Sequence, residues 1–263
     1  MSESQFVLPT APIVEAVVDI DCDLPPNVDI EALDIAGKAA YGDRYPRAQR
    51  RMFNAHRAVM VLGLPPQVTS SEGWQAHQYL SDDRKQLVQV RPNGFSFNRL
   101  APYTSLDDYL PEIERTWRLF VQIASPTQIR SVRLRFINRI LLPIRGDSLQ
   151  LDDYLKVGPH LPDEKRLTFT GFLNQHSAVE KATGNQVIIL LATQPSDAGK
   201  LPLIFDINTV REGPAEPDNW AWLLQAIASL RALKNSVFQN TLTEWDRRCR
   251  RAGRRSPFPA ARA

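Results

Sequence analysis

The sequence predicts an α+β fold in which a large antiparallel sheet is packed by long helices. The same order of elements, a strand, a helix, three strands and a long amphipathic helix, runs from Ile13 to about Ala124 and again from Ile129 to about Arg250. Short turn-rich segments join most of the strands, and such connections favour antiparallel pairing. The repeated order indicates a pseudo-duplicated body of about eight strands, saddle-like or helix-grip-like, in which the first strands of the two halves are neighbours.

The predicted organisation has four parts. An N-terminal arm covers residues 1–12 and a first α+β half covers 13–125. A second half, 126–250, forms one structural unit with the first, and a basic disordered tail covers 251–263. With 263 residues, of which 43% are hydrophobic, the chain is long enough to bury a full core.

Segment patterns and cysteine usage indicate a cytoplasmic protein without a membrane span. No apolar run approaches the roughly 18 residues of a membrane-spanning helix, and the first residues lack the basic and apolar regions of a secretory signal. Cys22 and Cys249 lie at opposite ends of the sequence. Two such lone thiols favour a reducing compartment over a disulfide framework or a cysteine-based zinc site.

The first half begins with a strand, IVEAVVDID, whose alternation separates an apolar face from one that carries acids. Asp29 is predicted to cap a helix that starts at Ile30 and ends before Tyr45, and Ser105 to cap the long helix after the strands. The strands are predicted at Met52–Leu62, Gly73–Ser81 and Gln86–Leu100. A bend at residues 92–94 allows the third to be two short strands.

The second half begins with the strongest strand pattern in the chain, IRSVRLRFINRILLP. A short helix is predicted over LQLDDYLKV, and a long closing helix from Asp218. Thr243 is predicted to start a last short helix over EWDRRCRR. The remaining strands are predicted at Leu167–Glu180, Gln186–Thr193 and Leu201–Arg211.

Several stretches together resemble a known family: PIVEAVVDI, LVQVRPNGFSFNRLAPY, RLRFINRILLP followed by DDYL, and FQNTLTEW. The chain is similar, over nearly its whole length up to the basic tail, to the TIGR04255 family of sporadically distributed bacterial and archaeal proteins. The resemblance implies a prokaryotic source and one architecture shared across the family. It brings no catalytic residues to this chain.

The arginines Arg133, Arg135 and Arg139 share one face of their strand, with guanidinium groups about 7 Å apart or more. We call them the arginine ladder. Guanidinium groups offer fixed, charged, forked donors, so the ladder could bind a phosphate backbone or an acidic ligand. The alternative is that acids on the first strand of the other half neutralise the ladder through cross-strand ion pairs. The acids in question are Glu15, Asp19 and Asp21.

Three asparagines add polar groups to the predicted strands. Asn138 falls on the apolar face by strict alternation, where a buried amide must find hydrogen-bond partners. Asn98 and Asn208 lie near strand ends, one in each half. A polar site with twofold symmetry and ordinary strand-end capping both explain this pattern. Asn138 and Asn98 therefore join the ladder as candidate binding residues.

The tail concentrates the positive charge of the chain. Seven of the 32 lysines and arginines follow residue 246 without any acid, so the remaining body has 25 basic residues against 29 acidic ones. A basic tail could contact phosphate groups, and arginines also suit the negative end of a helix. The candidate phosphate contacts are Arg247, Arg248, Arg250, Arg251, Arg254 and Arg255.

The chain lacks the usual signatures of common enzymes: no GxSxG, no GxxxxGK[ST], no GxGxxG and no HExxH occurs in it. The four histidines show no close pairing, although His56 and His77 fall on strands that could be adjacent. No metal or other cofactor is therefore predicted.

The sequence thus predicts a non-enzymatic binding or regulatory protein that acts through a sheet surface. The candidate partners are a protein encoded nearby, a nucleic acid or a second copy of the chain. One alternative is a small-molecule binder or enzyme with a pocket between the sheet and a long helix. Another is a nucleic-acid-binding saddle, whose affinity would fall steeply with salt.

Overall fold

The computed structural model describes residues 12–59, 67–143, 151–163, 166–167, 169–195 and 199–243. These residues form an α+β fold, which confirms the predicted class. The strands are β1 Ile13–Asp23, β2 Arg47–Val59, β3 Gln67–Leu80, β4 Gln86–Arg91, β5 Gly94–Leu100, β6 Gln128–Pro143, β7 Leu173–Val179, β8 Gln186–Thr193 and β9 Lys200–Ala215. The helices are α1 Ile30–Tyr41, α2 Leu106–Ala124 and α3 Trp220–Thr241.

The nine strands form one sheet in the order β2-β3-β4-β5-β1-β6-β9-β8-β7. Every neighbouring pair is antiparallel. The first strands of the two halves, β1 and β6, are adjacent at the centre, as the repeated order predicts. Including β1 and β6, the first half contributes five strands and the second half four. The internal duplication itself stays a prediction, because the halves differ in strand number.

The structure differs from the sequence prediction at several element boundaries. The segment Gln86–Leu100 is two strands, as the predicted bend allowed; Gly94 lies at this bend with φ 139°, and an added Cβ there would lie 2.1 Å from the carbonyl oxygen of Ile20. The predicted helix over LQLDDYLKV is only a 3₁₀ turn at Leu151–Asp153. Within the predicted strand Leu167–Glu180, the first strand residue is Leu173. The predicted helix after Thr243, the N-terminal arm up to residue 11 and the basic tail lie outside the described residues.

Both predicted caps of the first half are confirmed. The Asp29 carboxylate accepts hydrogen bonds from the backbone N–H groups of Glu31 and Ala32, at 2.9 and 3.2 Å. The Ser105 hydroxyl accepts from the N–H of Asp107 at 3.2 Å. These bonds satisfy donors that the first helical turn leaves without partners, so each helix starts where its cap stands.

The three helices pack on one face of the sheet, and the main core lies beneath them. Trp117 and Phe120 of α2 stack at 5.3 Å between ring centroids and contact Phe95 of β5. The indole N–H of Trp117 donates to the carbonyl of Pro217 at 2.9 Å, so even this polar atom is satisfied in the interior. Farther along the same face, Phe238 of α3 stacks on Phe205 of β9 at 5.4 Å.

The opposite face of the sheet is covered by no helix among the described residues, and we call it the helix-free face. Strand alternation sends Phe95 and Phe97 to the helices and therefore Ser96 and Asn98 to the helix-free face. Arginines 133 and 135 alternate in the same way with the buried Leu134. Arg133 and Arg135 therefore lie on the face that none of the described helices covers.

Candidate interaction surface on the helix-free face

The arginine ladder crosses the centre of the helix-free face, where β6 lies between β1 and β9. Arg133 is opposite Asp19 of β1, and Arg135 is opposite Val17. The side chains of Arg133 and Arg135 are 44% and 45% exposed, so part of each guanidinium group faces solvent. The alternation of β6 predicts that these arginines share one face, and the repeated order of elements predicts that β6 lies beside β1.

Arg133 forms an ion pair with Asp21, one of the acids of β1, as the alternative of cross-strand ion pairs predicted. Its Nη2 lies 3.1 Å from Oδ2 of Asp21. Arg91 of β4 approaches the same carboxylate at 3.0 Å and Asp19 at 3.6 Å. The hydroxyl of Ser131 also donates to Asp21, at 3.2 Å. The buried carboxylate of Asp21 therefore lies between the guanidinium groups of Arg133 and Arg91. The charge of Arg133 is thus compensated inside the protein.

Arg135 is neutralised by an acid that the sequence did not single out. Its Nε and Nη2 donate to the carboxylate of Asp206 on β9, at distances between 2.5 and 3.0 Å. These hydrogen bonds, with the negative charge of Asp206, raise the pKa of Arg135 above its ordinary value. Two guanidinium nitrogens thus contact one carboxylate, and such forked, charge-assisted hydrogen bonds are stronger than neutral ones.

Arg139, the third member of the ladder, has a different environment. Its Nε donates to the side-chain oxygen of Gln194 at 3.3 Å, and its backbone N–H donates to the carbonyl of Pro12. Among the residues that the structure describes, no carboxylate lies within ion-pair distance of Arg139. Within the described residues Arg139 thus differs from Arg133 and Arg135, whose charges are shared with acids.

Asn98 belongs to a chain of amides that crosses the first half of the helix-free face. The amide of Gln49 donates to Gln78 at 2.7 Å, Gln78 donates to Gln89 at 2.8 Å, and Gln89 donates to Asn98 at 2.9 Å. Asn98 donates in turn to the carboxylate of Glu15 at 2.6 Å. We call this the amide ladder. It gives the buried Asn98 an internal partner on each side and orients all four amides toward Glu15.

Asn138 is separated from the other candidate residues by the sheet itself. Its side chain is 2% exposed and donates to the carbonyls of Phe136 and Phe205, at 3.3 and 2.9 Å. It therefore satisfies backbone groups on the helix-covered side and does not join the ladder. Asn208 does lie on the helix-free face, opposite Arg135, and its buried Oδ1 has no hydrogen-bond partner among the described residues.

The second half of the helix-free face carries exposed aliphatic side chains among polar ones such as Asp206 and Asn208, and the sequence reasoning missed them. Leu173, Val179 and Ile188 are 70%, 62% and 36% exposed, and Leu190 and Ile204 are partly buried beside them. We call these five side chains the apolar floor. In β7 the sequence could have indicated this surface, because Leu173 and Val179 are an even number of residues apart and so lie on the same face. In β8 the continuous apolar run VIILLA gives no such indication, because a strand that is apolar on both faces shows no alternation.

The histidines do not form a site in the described part of the chain. His56 is opposite Ser70 and His77 is opposite Arg50, so seven residues of β3, or about 23 Å, separate the two positions. His77 lies under α1, with Nε2 3.2 Å from the carbonyl oxygen of Ile30, and burial lowers its pKa. No group of three potential metal ligands occurs among these residues.

Lys234 is a partly buried cation that the sequence reasoning also missed. Its ammonium nitrogen lies 4.1 Å from the centroid of the Phe136 ring, beneath α3. Burial, with a smaller effect of the nearby Arg231, lowers its pKa from 10.5 to about 8. Lys234 lies on the helix-covered side and thus contributes nothing to the helix-free face.

A cavity of about 390 Å³ opens at the end of the sheet beside α1, and not between the sheet and a long helix. Cys22, Ile30 and Trp74 line it, with Asp23 and Arg130 among its polar residues. Asp23 and Arg130 pair with each other at 3.3 Å, and burial raises the pKa of Cys22 to about 12. The cavity thus offers neither a free charge nor a reactive thiolate.

Comparisons with known proteins leave the function open. The chain matches no protein-family model, and no curated protein matches it significantly. Membership of the family that the sequence resembles therefore stays a prediction.

The tail arginines 247, 248, 250, 251, 254 and 255 lie outside the described residues. None of the described helices is long and apolar enough to cross a membrane.

Proposed function

We propose that this protein is a non-enzymatic binding module that docks a protein partner on the apolar floor. The observation that supports the proposal most directly is the exposure of Leu173 and Val179 on β7 and of Ile188 on β8, all on one face of the sheet. Exposed aliphatic side chains that share one face of a folded protein mark an interaction surface more often than single ones do. The partner would bury these side chains from water, at roughly 25 cal/mol for each Å² of apolar surface.

Arg139 supplies a polar contact at the border of the apolar floor. It is opposite Ile204 of β9, which is opposite Ala192 of β8, and Ala192 is opposite Leu173 of β7. This row ends in a cation without an acidic partner among the described residues. An apolar patch with an arginine at its border is the composition that protein interfaces favour. The partner that fits is therefore an apolar protein surface with a carboxylate at its edge.

The charge distribution supports a protein partner over a nucleic acid. Arg133 and Arg135 are paired with Asp21 and Asp206, at 3.1 and 2.5 Å. A phosphate backbone would have to displace these carboxylates or approach them, and either step opposes binding. The carboxylate of Glu15 adds to this repulsion on the same face.

Site-specific photo-crosslinking in the native cells tests the proposal. A photoreactive amino acid at Ile188 is expected to give a discrete covalent adduct with another protein. The matched control is the same amino acid at Ile35 of α1, which is 70% exposed on the other side of the molecule. Arg139→Glu in the Ile188 variant should weaken the adduct at least about tenfold, as expected for reversal of a charge that contacts a carboxylate. Equal adducts from positions 188 and 35, or an adduct that Arg139→Glu leaves unchanged, would refute the proposal.

Binding of fluorescently labelled duplex DNA tests the nucleic-acid alternative on the full chain. We expect Arg133→Gln and Arg135→Gln together to leave any DNA affinity within about twofold of wild type, because both arginines are internally paired. A loss of tenfold or more, together with a shallower salt dependence, would instead place phosphate on the arginine ladder.

A further inference from the structure

The two edges of the sheet have opposite character. The strand β2, at one edge, contains four arginines, and charged side chains of this kind discourage pairing with another strand. The strand β7, at the other edge, has the sequence LNQHSAV and contains no lysine, arginine, aspartate or glutamate. In the part of the chain that the structure describes, β7 pairs only with β8. The β7 edge thus lacks the charges that protect the β2 edge.

The hydrogen-bond pattern of β7 shows which backbone groups point away from the sheet. The N–H of Thr193 donates to the carbonyl of Phe172, and the N–H of Glu180 donates to the carbonyl of Asn185. In an antiparallel ladder these bonds alternate, so the even-numbered residues of β7 bond to β8. The odd-numbered residues therefore direct both N–H and C=O outward. They are Leu173, Gln175, Ser177 and Val179.

We propose that the chain forms a homodimer through antiparallel pairing of β7 with β7 of a second copy. With His176 at the twofold axis, Leu173 is opposite Val179 of the other copy and Gln175 is opposite Ser177. In every such pair both residues direct their backbone N–H and C=O groups outward, so pairing in this register allows about eight backbone hydrogen bonds between the copies. It also places an apolar residue opposite an apolar one at both ends, without any like-charge pair.

The dimer goes beyond the docking of a different protein, because it needs only the edge of β7. Its consequence is nevertheless connected to the apolar floor. Leu173 and Val179 lie on the helix-free face, so pairing joins the apolar floors of the two copies into one surface across an 18-stranded sheet. A second copy thus provides hydrogen-bond partners for the outward backbone groups of β7 and doubles the apolar floor.

Sedimentation and light scattering of the full chain test the dimer. The wild type is expected at about 60 kDa, twice its chain mass of 29.8 kDa, at concentrations above roughly 10 µM. Ser177→Pro removes an outward N–H and leaves the hydrogen bonds between β7 and β8 intact. Val179→Lys places a charge opposite Leu173 of the other copy at both ends of the paired strands, and a charged side chain on an edge strand discourages pairing. Both variants should sediment as monomers with unchanged circular dichroism. A monomeric wild type, or dimers that persist in both variants, would overturn the proposal.

Disulfide trapping tests the register. His176→Cys places two thiols opposite each other in a non-hydrogen-bonded pair with Cα atoms about 4.5 Å apart, which is compatible with a disulfide bond. In a Cys249→Ser background the remaining native cysteine is Cys22, which is buried. Mild oxidation should give a covalent dimer from His176→Cys and none from Ala178→Cys, whose twin lies four residues away along the strand. A covalent dimer from position 178 and not from 176 would refute this register.

Discussion

Replacement of Lys234 by methionine should stabilise the protein at neutral pH. The ammonium group of Lys234 is largely removed from water, and its nitrogen lies 4.1 Å from the centroid of the Phe136 ring. No carboxylate among the described residues forms an ion pair with it. Burial and the charge of Arg231 lower its pKa from 10.5 to about 8, so the folded state holds this proton less tightly than the unfolded chain does.

The magnitude follows from the difference between the two pKa values. Between pH 8 and 10.5 the unfolded chain binds more protons at this group, so the stability of the wild type rises as the pH rises through that window. Below this pH window the buried charge lowers the free energy of unfolding by about 3 kcal/mol, since each unit of difference between the two pKa values corresponds to about 1.4 kcal/mol. Methionine fills similar space but loses a cation–π attraction of about 1 kcal/mol. The expected net gain for Lys234→Met is therefore about 2 kcal/mol at pH 7.

Urea unfolding at pH 7 and pH 9.5 measures both the gain and its pH dependence. By linkage the cost in the wild type falls by about 2 kcal/mol between these values, so the advantage of Lys234→Met should fall below about 1 kcal/mol at pH 9.5. Lys181→Met, in the exposed turn before β8, controls for the removal of a surface charge. An advantage of equal size at both pH values would refute the buried-charge argument, as would a variant less stable than wild type at pH 7.

Three further substitutions test local features of the fold. Gly94→Ala should lose about 3 kcal/mol or more in urea unfolding, because its Cβ would lie 2.1 Å from the Ile20 carbonyl oxygen at φ 139°; a loss below 1 kcal/mol would contradict the bend. Asp29→Ala removes the cap of α1 and should lower the free energy of unfolding by about 1 kcal/mol, whereas Asp29→Asn should retain most of it. Asp206→Asn should lose about 1 kcal/mol in the same measurement, because Arg135 is left with a weaker, neutral acceptor; unchanged stability would mean that solvent replaces the carboxylate without loss.

The sequence was sufficient for the elements whose signals are local. The alternation of β1 and β6 correctly predicted their core faces, and Asp29 and Ser105 marked the starts of α1 and α2. The repeated order also placed β1 beside β6. Each of these signals depends on residues within a few positions of one another, or on the order of elements, and both are visible in a single chain.

The partners of the ladder could be predicted only in part, because they depend on register. The first-strand acids were the correct partners for Arg133, which pairs with Asp21. Arg135 instead pairs with Asp206, since the register of β9 on β6 places this acid next to it. The alignment of β6 with β9 joins residues about 70 positions apart. No pattern within either strand encodes that alignment, so the neutralising acid could not be identified from the sequence.

The helix-free face suggests why a partner would choose the second half of the molecule. In the first half, the amide ladder from Gln49 to Glu15 gives each polar side chain an internal acceptor, so a partner there would compete with bonds that already exist. In the second half, aliphatic side chains remain exposed, and such groups gain free energy when they are covered. The charges of Arg133 and Arg135 are largely compensated, whereas Arg139 at the border has no acidic partner among the described residues and is suited to orient a partner. The contrast between a first half whose amides are satisfied internally and a second half with exposed aliphatic side chains therefore favours recognition on β7, β8 and β9.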